Sequence, residues 1–89
     1  MNKGDILTYE SGETKWILIF EDWYEPYEGH MHYFALSDCN GELYGPGTCF
    51  MDDQDSLRQA TEEECTELLN RMLDNGYMWD DNNKKVIKL

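Results

Sequence analysis

Cationic side chains are scarce in this chain: seven Lys and Arg stand against nineteen Asp and Glu, for a formal net charge of -12 over 89 residues. A surface so short of positive charge repels phosphate backbones and anionic lipid, which argues against direct binding of nucleic acid or docking on a membrane and points to a basic or neutral protein partner. Proline is nearly absent, and no Pro/Gly-rich tract, internal repeat or low-complexity run divides the chain, so no linker is expected. The three cysteines, Cys39, Cys49 and Cys65, are odd in number and form no CxxC pair, which fits reduced thiols rather than a disulfide frame. No segment approaches the roughly 18 apolar residues of a membrane span. The opening Met1-Asn2-Lys3-Gly4-Asp5 lacks the apolar stretch of a signal peptide, and a cytoplasmic location is expected.

What is present is enough to pack. Hydrophobic residues make up 40% and aromatic ones 13%, with Trp16, Trp23 and Trp79 among them, more than an acidic disordered tail carries. The length fits one small core, so residues 1–89 are expected to form a single domain.

Residues 1–50 read as β structure. Segments 5–9 and 15–20 are rich in β-branched and aromatic side chains, and Glu10-Ser11-Gly12-Glu13 between them supplies a Gly-containing turn. An acidic aromatic loop follows at residues 23–29, then a third strand over 30–36. Asn40-Gly41 predicts a tight type I′ turn into residues 42–44, Gly45-Pro46-Gly47 breaks that strand, and 48–50 form a last short one. Residues 51–55 are expected as an exposed loop.

The helix signal is stronger. Thr61 with Glu64 three positions on spells a capping box. Cys65, Leu68, Leu69, Met72 and Leu73 recur at helical spacing, and Asn75-Gly76 marks the stop, for a helix over 61–75. Residues 77–89 read as a C-terminal hairpin turning at 80–83, with Trp79 and Ile87 inward. The fold class is therefore α+β: a small bent antiparallel sheet or an SH3-like β-barrel, with one amphipathic helix and a C-terminal β-hairpin.

The segments Arg58-Gln59-Ala60-Thr61-Glu62-Glu63-Glu64 and Gly76-Tyr77-Met78-Trp79-Asp80, with Lys3-Gly4-Asp5-Ile6-Leu7 and Trp16-Ile17-Leu18-Ile19-Phe20, resemble a group of small uncharacterised proteins of Bacteroidales-type gut bacteria and their phages. The resemblance implies a phage or mobile-element setting and carries no activity onto any residue.

Candidate chemistry is thin. His30 and His32 share one face of a strand, but two ligands fall short of a zinc site. Asp53, Asp55 and Glu64 fall at EF-hand positions 1, 3 and 12, yet Leu57 and Arg58 occupy positions where an oxygen ligand and Gly are required. The carboxylates Glu21, Asp22, Glu25 and Glu28 lack the enclosed cleft that separates an acid from a base. Ser11, Ser37 and Ser56 stand in no nucleophile motif. No catalytic residue, cofactor or metal site is assigned, and an enzyme is not expected.

The same acidic loop is a better binding surface. Trp and Tyr dominate interface hot spots, and flanking carboxylates steer basic partners. Trp23, Tyr24 and Tyr27, with Glu21, Asp22, Glu25 and Glu28, are the expected contact residues of a non-enzymatic interaction module. Two other uses are compatible with the composition: an inhibitor that mimics nucleic acid to occupy a basic groove in a defence nuclease, or a phage assembly component that associates through sheet edges.

Overall fold

The computed structural model describes every residue from Met1 to Leu89. β1 (Ile6–Ser11) and β2 (Thr14–Trp23) form the hairpin expected from their composition. Its two loop residues are Gly12, at φ 60, and Glu13, at negative φ, the pattern of a II′ turn that matches the twist of the strands. β3 (His30–Ser37) lies antiparallel to β2, and its far side takes β4 (Leu43–Tyr44) and β5 (Gly47–Phe50) end to end. The pairing of β3 with β4 and with β5 is in one register, so Gly45-Pro46 interrupts the strand without shifting it. A 3-10 turn (Gln54–Ser56) leads into β6 (Leu57–Gln59), which adds to the free side of β1. The sheet order is β4-β3-β2-β1-β6, with β5 also on β3. Its two outer sides do not meet, so of the two expected forms the bent open sheet is found and the closed barrel is not.

Two bulges interrupt the central pair. Ile19 faces Ala35 and Phe20 faces Tyr33, leaving Phe34 extra on β3; Asp22 then faces His32, leaving Glu21 extra on β2. Such bulges bend the sheet and re-aim side chains. Here they keep Trp16, Leu18, Phe20 and Trp23 on the same side as Met31, Tyr33 and Leu36.

Both faces are packed. On one face, the inner one, Leu7, Tyr9, Leu18, Phe20, Met31, Tyr33, Leu36 and Met51 form one buried cluster, walled by Trp16, Trp23, Cys49 and Leu57. On the outer face Ile17, Ile19 and Ala35 take Leu68 and Met72 of helix α1 (Glu62–Asp74) and the hairpin of β7 (Tyr77–Asp80) and β8 (Lys85–Lys88). The helix begins and ends where the sequence places it. Thr61 Oγ1 accepts the Glu64 N–H, the Glu64 carboxylate accepts the Thr61 N–H, and Gly76 takes φ 87 past the Asn75 C-cap.

Four local expectations change. The turn at Asn40-Gly41 is a three-residue loop, not a type I′ pair. Only Gly41 has positive φ, the Gly41 N–H donates to Asp38 O, and the Asp38 carboxylate accepts from the N–H groups of Asn40 and Glu42 at 2.9 and 3.0 Å. A side-chain acceptor at the first position makes this longer turn competitive. Met51 is buried rather than exposed, because its N–H bonds Gly29 O and its side chain enters the inner cluster; residues 52–55 are exposed. β6 is additional to the expected strands. In the C-terminal hairpin Trp79 faces Val86, so Val86 rather than Ile87 joins Trp79 against the outer core.

Candidate functional site

The acidic aromatic loop is built by backbone bonds. The Tyr24 N–H donates to His30 O at 2.9 Å, the Tyr27 N–H to Tyr24 O at 3.2 Å and the His30 N–H to Tyr27 O at 3.3 Å. Gly29 is buried at φ 80, and a β-carbon there would lie 2.9 Å from the Phe50 ring and 3.1 Å from Met51 O. Glycine is therefore required by both conformation and space.

Trp23 and Tyr24 part company here. Trp23 is half-buried against the inner cluster, its ring 5.6 Å from Phe20 and edge-on, whereas Tyr24 lies over the opposite face. There five rings are linked in a row. Centroids are 5.1 Å apart for His32 and Tyr24, 5.6 Å for Tyr24 and Tyr27, 5.6 Å for Tyr27 and His30, and 4.9 Å for His30 and Phe50. Tyr27 is 61% exposed and Phe50 49%, so part of this row is open aromatic surface. His30, His32 and Phe50 escape the sequence reading as contact residues; the signal that finds them is the alternation His-Met-His-Tyr, which sets both histidines opposite the buried face, with Phe50 directly across from His30.

His30 Nδ1 lies 3.2 Å from Glu28 O, and since a carbonyl only accepts, that nitrogen carries a proton. His32 Nδ1 is 2.8 Å from Thr48 Oγ1. No third His, Cys, Asp or Glu side chain converges with this pair as a metal-ligating group.

Around the rings stand Glu25, Glu28 and Asp52, all exposed. Of the other expected contact residues, Glu21 is the extra residue of the β2 bulge. Asp22 faces His32 across the strands and accepts the Trp23 N–H at 2.8 Å. From Trp16 to Leu57 the chain has no Lys or Arg and nine Asp and Glu. Ring faces rimmed by unpaired carboxylates can hold an ammonium or guanidinium group by cation–π attraction and ion pairing together.

The other acidic residues are used differently. Glu64 is buried, and its two oxygens take Arg58 Nη1 and Nη2 at 2.7 and 2.9 Å and Lys15 Nζ at 3.0 Å, besides the Thr61 N–H. Arg58 above all, then the Thr61 amide and Lys15, hold its carboxyl well below the usual range against the opposing effect of burial. Thr8 Oγ1 is buried beside this carboxylate. Five of the nine aspartates, Asp5, Asp38, Asp53, Asp80 and Asp81, accept hydrogen bonds in local turns. Burial pushes the Cys49 thiol up to about 11 and raises that of Cys65 as well, while Cys39 is exposed; none is bridged.

No protein-family model, curated protein or solved structure matches the chain. No helix is long and apolar enough to cross a membrane.

Proposed function

We propose that the chain is a non-enzymatic, acidic protein-interaction module whose contact surface is the ring row Tyr24, Tyr27, His30 and Phe50 with its rim of Glu25, Glu28 and Asp52. The observation that carries this reading is the exposure of Tyr27 and Phe50 on the face opposite the one where Met31 and Tyr33 are buried. Aromatic anchors in a charged rim are the usual composition of a binding hot spot. The partner is a protein with a basic or mixed surface, drawn in by the cation-free stretch from Trp16 to Leu57.

The nucleic-acid mimic is less well supported. Its mechanism needs carboxylates free to present phosphate-like spacing, and Asp5, Asp38, Asp53 and Asp80 are engaged in building turns.

The test is calorimetric titration of partners captured on the immobilised protein, comparing the parent with the Tyr27→Ala/Phe50→Ala double variant. Binding weakened at least about tenfold by the double variant, with only a modest salt dependence, is the expected result. Binding untouched by the double variant but abolished at high salt or by added DNA would replace the module with the mimic.

A further inference from the structure

The ring row does not lie in the middle of a surface. It borders β5, whose inner side pairs with β3 and whose outer side pairs with nothing. Exposed edges of this kind are templates for another strand, and proteins commonly guard them with Lys, inward-pointing charge or proline. β5 reads Gly47-Thr48-Cys49-Phe50 and has none of these; Pro46 stands just before it.

The two faces flanking this edge differ in chemistry. On the inner side Cys49 and Tyr44 border a shallow recess of about 220 Å³ over Trp16, Tyr33 and Leu36, a floor suited to an apolar side chain. On the outer side Phe50 continues into His30 and Tyr27, with Glu28 and Asp52 beside them, a surface suited to a cationic side chain. A strand laid along β5 points successive side chains to these two faces in turn.

We infer that the edge of β5 takes an extended peptide segment of the partner by strand addition, and that this segment alternates apolar residues over the Trp16 recess with Lys or Arg over the Tyr27–Phe50 rings. The inference rests on the interaction-module reading and adds the binding mode and ligand pattern. Main-chain bonds to β5 supply affinity, and the two unlike faces supply specificity and direction. A second copy of the chain is the poorer occupant: edge-to-edge pairing would oppose two stretches that each carry nine carboxylates and no cation.

The probe is a synthetic peptide alternating Lys and Val, titrated into isotope-labelled full-length protein and followed by amide shifts and hydrogen exchange. Exchange of the β5 amides should slow, and the Tyr27 and Phe50 rings should shift. N-methylation of alternate peptide amides in one phase should weaken binding about tenfold or more, at about fivefold per lost hydrogen bond, while methylation in the other phase changes it within about twofold. A peptide with Glu in place of Lys should not bind, and the exposed double variant Glu28→Lys/Asp52→Lys should bind the Lys peptide more weakly.

No binding of the Lys and Val peptide, or equal binding of both methylated forms with unchanged β5 exchange, would overturn strand addition. If the methylated forms bind equally while Tyr27→Ala/Phe50→Ala still weakens binding, the module stands and only the mode falls; if the double variant is also without effect, both fall. A dimer in sedimentation that the peptide fails to displace would assign the edge to a second copy instead.

Discussion

Glu64 and Glu28 are the same residue type in the same highly negative chain, yet they sit in opposite kinds of place. At Glu64 a bidentate Arg58, Lys15 and the Thr61 amide close on one buried carboxylate, so helix α1 is tied to β2 and β6 through a single side chain. At Glu28 no cation is supplied, and the carboxylate stands exposed among exposed rings. Four of the seven cations, Lys15, Arg58, Arg71 and Lys84, are committed to ion pairs, and Arg71 also donates to Ser37. Net charge therefore says little about use. What matters is which carboxylates the chain neutralises internally and which it leaves for something else.

Loss of core volume from the sheet that carries both carboxylates costs most. Leu18 is fully buried in the inner cluster, and Leu18→Ala should cost about 3–4 kcal/mol, with tryptophan fluorescence and circular dichroism reporting one urea transition. Next comes the node itself. Glu64→Gln should cost about 2 kcal/mol in the same assay, since it weakens the cap and leaves Arg58 and Lys15 without their shared anion.

The pH dependence of that second effect has a definite sign. Glu64 is held low in the folded state chiefly by Arg58, so its contribution is fully present above the ordinary glutamate pKa of about 4.3 and is lost as pH falls toward the folded value. The stability gap between the parent and Glu64→Gln should therefore narrow on acidification below about pH 4. A gap constant with pH would mean that the ion pairs contribute nothing and only packing is lost.

At the aromatic end the sensitive position is the backbone. Gly29→Ala should cost about 1–2 kcal/mol and shift the Phe50 ring resonances, because neither the φ nor the space admits a β-carbon. Smallest of all, Glu28→Gln should change stability by less than about 0.5 kcal/mol in either direction. A loss as large as that of Glu64→Gln would erase the distinction between the two carboxylates.

Much of the fold is legible in the sequence because local signals agree there: the capping box, the helical spacing of Leu68 and Met72, and the Gly12 turn all use residues close in the chain. The sheet's openness, β6 and the bulges are not legible, since each depends on pairing between distant segments. Leu57–Gln59 is too short to announce a strand until β1 is there to pair with it. The candidate site divides in the same way. Tyr24 and Tyr27 stand out by composition, but Phe50 and the histidines join them only through the register of β3 with β5. Trp23 is drawn to the core by Phe20, a destination fixed by the bulge at Glu21.

Those bulges also bear on how this chain can change length. Deleting a residue inside a central strand ordinarily turns every later side chain to the wrong face. Here Glu21 and Phe34 are each already squeezed out of the pairing, and the partners on either side of them stay matched. Loss of Glu21 would leave Phe20 opposite Tyr33 and Asp22 opposite His32, so the strand could shorten while Trp23 still met the core. Phe34 is not free in the same way, because its ring lies 4.9 Å from Trp79 and holds the C-terminal hairpin to the sheet. Homologous chains of differing length should therefore vary at the first position and keep the second.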